Sequence, residues 1–330
     1  MPADAHPLET QPARRPPRAA LIDRCFRMLS LLLALMGPLI LLVLGYSLFH
    51  AALPSIREFG GHFLTTKTWD PVHNIYGILP AIFGTVVTSA LALLIAVPIS
   101  LGTAIFLAEL APRWLSEPLS FLVELLAAVP SIIYGLWGIF VLIPLLRTFE
   151  LWLQAQPWLQ DRDGNSFSLF SGPPLGIGML AAGVVLAIMI LPYITSISRE
   201  VIKTVPMAQR EAAYALGATR WEVIRGPILR YVRSGILGAI ILGLGRALGE
   251  TMAVTMVIGN VPVISASLFS QGYTMPSLLA NEYLEATEKL HVSSLVEVAL
   301  VLVIITIIVN GTARLLIWSV ARNDSQGAQQ

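Results

Sequence analysis

Six runs of predominantly apolar residues divide the chain, near Phe26 to Phe49, Tyr76 to Leu110, Leu119 to Leu146, Pro174 to Ser198, Ser234 to Gly259 and Ser293 to Val320. Each is long enough, as a helix, to cross a hydrocarbon layer of about 30 Å, which takes roughly 20 residues. The pattern predicts an all-α membrane protein with six transmembrane helices. The second run is long and carries Pro80 and Pro98, which predicts a tilt, a kink or a start as a surface helix.

Between the fourth and fifth runs lies a polar stretch, Arg199 to Arg233, with seven arginines and lysines. Pro206 can open a helix at its first position, Met207 to Leu216 contains good helix formers, and Gly217 suits a C-terminal cap. A second short helix is predicted from Thr219 to Arg225, before Pro227. Glu211 complements the dipole of the first helix. Ala212 and Ala213 keep one side small, so that another surface can approach closely. The pattern equally fits an amphipathic helix lying at the headgroups, held there by its arginines.

Composition agrees with the spans: 55% of residues are hydrophobic and 12% charged, with a mean hydropathy of +0.74. No soluble globule with an ordinary charged surface has these values. A net charge of +1 without a continuous basic face gives no reason to expect nucleic acid. The single cysteine, Cys25, excludes an internal disulfide framework and a multi-cysteine metal cluster.

Arginine and lysine are retained on the cytoplasmic side of short loops. With both termini inside, fifteen of the 21 fall on inner segments, five on outer segments, and Arg246 lies inside the fifth span. The first run reads as an uncleaved anchor, since its apolar stretch is about twice the length of a secretory signal core and no small-x-small site follows. The division expected is a disordered cytoplasmic tail at 1–24, a first span with its outer loop at 25–75, a core at 76–320 with a cytoplasmic loop at 199–233, and a tail at 321–330. The outer loops are too short for a fused domain of usual size. Gln160 to Ser166 reads as a turn and lacks the terminal glutamate of a calcium loop. The five histidines have no paired metal spacing and read as solvated or interfacial. Glu109 and Glu124 flank inner ends of spans and read as interfacial. No metal or cofactor is expected. Clustered catalytic groups are missing, so an enzyme is not expected either.

The fifth run holds Gly243-Leu244-Gly245-Arg246-Ala247-Leu248-Gly249-Glu250-Thr251-Met252-Ala253-Val254. A charge near mid-bilayer costs about 2.5–3.5 kcal/mol on the mildest scale, so both ions need partners. Arg246 and Glu250 are four apart, on one helical face and within pairing reach. Gly245 with Gly249, joined by Gly238 and Gly243, leaves a thin side for helix packing. One reading is a self-satisfied ion pair that pins helices. The other is that Arg246 meets an anion in the bundle, its planar fork matching phosphate-like oxyanions, while Glu250 holds it when the site is empty and loosens its grip for release.

Glu211-Ala212-Ala213, then Gly217 and Leu229, resembles the EAA loop of the membrane subunits of ABC importers. The resemblance departs at Pro227 and Arg230, where that loop has isoleucine and proline. It implies that residues 207–225 form the coupling helix that enters a groove of an ATP-hydrolysing subunit. No phosphate-cradling Gly-x-x-x-x-Gly-Lys-Ser/Thr occurs in the chain, so ATP would be hydrolysed on a separate subunit. Arg246 to Val254 with Ile258-Gly259-Asn260, Ala280 to Tyr283, Leu290 to Val292, and Val129 to Gly138 are similar to the PstC-type permeases of phosphate importers. This likeness implies a type I ABC importer permease architecture in a bacterial inner membrane, a second related permease as heterodimer partner, two ATPase subunits and an external phosphate-binding protein. The alternatives are a permease for another oxyanion, such as molybdate or sulfate, and a secondary transporter working without ATP. The latter predicts inverted repeats, and no convincing repeat is present.

Overall fold

The computed structural model describes the backbone of residues 17–156 and 168–327. The proline-rich start of the tail and the turn at Gln160 to Ser166 lie outside the described residues, as does the last part of the C-terminal tail. Two units are distinguished, residues up to His50 and the remainder from Ala51. The first is the leading part of α1 (Pro17–Phe59). Nearly all its apolar side chains from Phe26 to Phe49 are exposed, as suits a helix whose surroundings are lipid.

The second unit begins with the end of α1 and a single-turn helix α2 (His62–Thr65). A small hairpin follows, pairing β1 (Trp69–Asp70) with β2 (Ile75–Tyr76). Asn74 takes the left-handed conformation at its turn (φ 55°), and Asp70 accepts from Val72 N and His73 N. The second span is α3 (Leu79–Ile105), extended by a π-helical turn over Phe106–Leu110. Next come α4 (Arg113–Ala128), α5 (Ser131–Trp137), a π turn over Gly138–Leu142 and α6 (Ile143–Gln154). The fourth span is α7 (Met179–Lys203), the most deeply buried of the six. It packs against α3 and α10, as described below.

The polar loop folds as α8 (Met207–Ala215) and α9 (Arg220–Val223), followed by a π turn over Ile224–Ile228 and α10 (Leu229–Leu248). The chain ends with α11 (Met252–Val257), α12 (Met275–Glu282) and α13 (Lys289–Gly327). Among the described residues six helical stretches are long and apolar enough to cross a membrane, as predicted.

Several boundaries differ from expectation, and two of them bear on the site. The third span starts at Ser131 and not at Leu119. Pro130 disfavours helical backbone in the residue before it, and Val129 is extended (ψ 129°). The residues assigned to the start of that span therefore belong to a separate helix, α4. The fifth span ends at Leu248 and not at Gly259. Gly249 forms a turn, Glu250 and Thr251 are irregular, and α11 is a new, short helix.

Three apolar clusters fill the second unit. A central one joins α3, α5, α7, α10 and α11 through residues such as Ala92, Ile190, Ala239 and Val257. A second lies under the hairpin around Phe63, Trp69, Tyr76 and Met275. A third supports the polar loop, with Ala104, Ile202, Val223 and Ile228. The end of α11 and the segment 258–272 fold back on the start of α7: Gly178 N donates to Val257 O, Met179 N to Ser270 O, and Leu180 N to Leu268 O.

Candidate functional site

Arg246 occupies the last turn of α10, where a cation complements the helix dipole. Its Cζ lies 4.3 Å from the centroid of the Tyr193 ring on α7, a cation–π stack. Tyr193 Oη donates to Ala127 O at 3.1 Å and Tyr134 Oη to Leu126 O at 2.8 Å. Both tyrosines thus bond to carbonyls of the last turn of α4, of which Leu126 O also accepts from Val129 N at 3.3 Å. Arg246 makes no hydrogen bond or ion pair with any described residue, and its Nε is buried. A guanidinium carries five donors, and here they are left unused by the protein.

The expected pairing of Arg246 with Glu250 is absent among the described residues. The i to i+4 argument requires a continuous helix, and α10 stops at Leu248. Glu250 instead turns toward α11, where its Oε1 accepts from Ala253 N at 3.4 Å. The small-residue side of α10 is realised in part. A Cβ on Gly243 would meet Ile194 Cγ1 at 2.8 Å, and one on Gly245 would lie 3.6 Å from the Asn310 amide of α13. Gly238 faces open space, and Gly249 lies beyond the helix. Gly135 and Gly138 seat α11, since a Cβ at Gly135 would come within 2.6 Å of Met256 Sδ. Tyr193 had no place among the expected site residues. Its signal in the sequence is a hydroxyl-bearing aromatic next to Pro192 in the middle of an apolar run.

The polar loop keeps its predicted order. α8 ends in a Schellman motif: Ala218 N donates to Ala213 O and Gly217 N to Tyr214 O, with Gly217 at φ +81°. Thr219 then caps α9 in a reciprocal box with Glu222, whose Oε2 accepts from Thr219 N at 2.7 Å. Glu211 and Ala212 are exposed, and Leu216 (90%), Met207, Tyr214 and Trp221 present apolar surface beside them. Ala213 differs from Ala212, since it is half-buried against the cluster under the loop. The approachable small residue is therefore Ala212. Glu109 is more than interfacial: its Oε1 accepts from Arg210 Nη2 at 2.7 Å, and the same nitrogen donates to Ile202 O. Glu124 is exposed.

At the far end from this loop, His291, expected to be solvated or interfacial, makes defined side-chain contacts. Its ring stacks on Tyr76 (5.6 Å between centroids) and its Nε2 faces Glu282 Oε2 at 3.1 Å, where Trp69 Nε1 also donates. Nearby, the hydrogen bond from the His73 side chain holds the Asp70 carboxyl below its ordinary range, and burial pushes the Tyr273 phenol up to about 12. Among the described residues no group of histidines, cysteines and carboxylates could hold a metal ion.

Residues 100–321 match the family described as binding-protein-dependent transport system inner membrane component. The chain is 47% identical over 305 residues to the phosphate transport system permease protein PstC of Mesorhizobium japonicum, covering 92% of each. It is 48% identical over 299 residues to the protein of the same name from Haemophilus influenzae, covering 90% of this chain and 93% of that one. Among solved structures, a chain of the MetNI methionine ABC transporter in an inward-facing conformation superposes with a TM-score of 0.55 at 18% identity, covering 77% of this chain and 99% of that one. At that identity the likeness concerns the fold.

Proposed function

From the premise that this chain belongs to the binding-protein-dependent transport system inner membrane components, within their PstC group of phosphate permeases, we propose that it lines the path by which an ATP-driven importer carries inorganic phosphate. It is a multi-pass subunit of the inner membrane, and transport is its role. Both termini face the cytoplasm, in keeping with the distribution of arginine and lysine. A second related permease completes the path, two separate subunits hydrolyse ATP, and an external binding protein delivers phosphate.

One observation carries the reading: Arg246 is a permanent cation among packed helices, held by its face on Tyr193, with its hydrogen-bond donors free of protein acceptors. Phosphate oxygens fit that planar fork bidentately. Because Glu250 does not occupy the guanidinium, the site needs no ion pair to be broken before phosphate enters. Glu250 instead holds the start of α11 beside it. The exposed face of α8 and α9, with Glu211, Ala212, Leu216 and Trp221, is the surface for the ATPase subunit, and Gly217 sets the bend between the two helices. ATP-driven closure of the ATPase pair pushes on residues 207–225 and turns the bundle from inward to outward access, and hydrolysis resets it.

Arg246→Gln in the complete transporter should cut phosphate uptake by roughly ten- to a hundredfold, the loss of charge-assisted hydrogen bonds worth about 1.5–3 kcal/mol. The complex should still co-purify. Unchanged uptake would overturn the role of Arg246. Competition by sulfate and molybdate, measured in the parent, checks the choice of oxyanion, with phosphate expected to compete best.

A further inference from the structure

Arg210 is the one arginine of α8, and its side chain is turned inward. Its Nη2 donates to Glu109 Oε1 at 2.7 Å, with the two side chains only 18% and 14% exposed. Ion pairs at that degree of shielding are screened much less than surface pairs. Glu109 belongs to the π turn Phe106–Leu110 at the end of α3. Such turns are rare and concentrate at functional places. Leu107 O of the same turn accepts from Ser116 Oγ of α4 at 2.7 Å, in buried surroundings. The polar loop is thereby tied through two hydrogen bonds to the first turn of α4.

From there α4 continues to Ala128, sixteen residues in all with Pro118 inside, or about 24 Å of helix. Its far end is held by Tyr134 Oη and Tyr193 Oη, and the Tyr193 ring carries Arg246. α7 also joins the two regions, but it is embedded in the central core, and shifting it would require repacking against α3 and α10. In α4 only Ser116 and Ser120 are buried, and polar bonds fasten it at each end. It packs along α7 on one side and leaves most of its other side chains unburied, so a shift of α4 requires less repacking than a shift of α7. We propose that α4 is a lever that passes movement of α8 to the Tyr193 shelf under Arg246, with Glu109 as the positioning residue at its loop end. This rests on the reading of α8 as the ATPase contact and of Arg246 as the phosphate contact.

The test uses the complete transporter in proteoliposomes with phosphate-loaded binding protein, in a Cys25→Ser background. Uptake and ATP hydrolysis are measured together, and Ala212→Cys, at an exposed position, reports docking by crosslinking to the ATPase subunit. Glu109→Gln should lower phosphate moved per ATP by about tenfold, within the usual range of site-to-site coupling, while hydrolysis and the crosslink persist. Ser116→Ala should act in the same direction, and Glu109→Asp should recover part of the ratio. An unchanged ratio in Glu109→Gln with the crosslink intact overturns the lever. So does a proportional fall in uptake and hydrolysis with the crosslink lost, which would make Glu109 a docking support alone. Absence of the crosslink in the parent overturns the ATPase reading itself, a result distinct from failure of the lever.

Discussion

Arg246 was legible as a candidate because arginine inside an apolar run is expensive enough to demand a reason. Its neighbours were not. Tyr193 stands 53 positions earlier in the chain, and nothing in local spacing places its ring beneath the guanidinium. The same holds for Gly84, where a Cβ would collide with the backbone carbonyl of Tyr273 at the far end of the fold. Carbonyls cannot yield as a flexible side chain can, so Gly84→Ala should cost about 1–3 kcal/mol by overpacking. Gly102→Ala, on the same helix with no atom within 4 Å of the added methyl, serves as the control. Thermal unfolding of the purified protein in detergent should show a lowered midpoint for the first and little change for the second.

At the scale of elements, success followed the strength of local chemistry. The polar loop was anticipated to within a residue or so at α8, because Pro206, Gly217 and Thr219 each act on their own neighbours. Hydropathy was a poorer guide to where spans begin and end, since it integrates over many residues while a proline or glycine acts at one. Val129-Pro130 and Gly249 are the two places where a punctuating residue overruled the apolar run. Glu250 consequently left the helical face on which pairing with Arg246 was expected. The capping box gives a prediction at this scale. Thr219→Ala removes a cap worth about 0.5–2 kcal/mol, so amide exchange across Arg220 to Val223 should accelerate several-fold while α8 keeps its protection. Hydrogen exchange with mass spectrometry resolves the two segments.

For the whole molecule, the succession of apolar runs sufficed to set six spans, because the bilayer admits so few alternatives. The region beyond α11 could not be read that way. Segment 258–272 is held by long-range backbone bonds to Met179 and Leu180, which leave no trace in hydropathy. The proposed orientation makes a direct prediction. Leu216 and Leu284 are 90% and 91% exposed, on the loops assigned to opposite sides. With Cys25 replaced by serine, an impermeant maleimide added outside should label Leu284→Cys in spheroplasts, and Leu216→Cys only after the membrane is opened. The reverse pattern would invert the topology.

The face of α8 and α9 has a consequence for supply as well as for transport. Met207, Tyr214 and Leu216 expose apolar surface outside the spans, and such patches are liabilities when no partner covers them. If this face docks the proposed ATPase subunit, a copy made without that subunit displays to proteases and chaperones the surface that assembly would hide. The face that receives the power stroke would then also regulate the number of surviving copies, matching permease abundance to that of its motor.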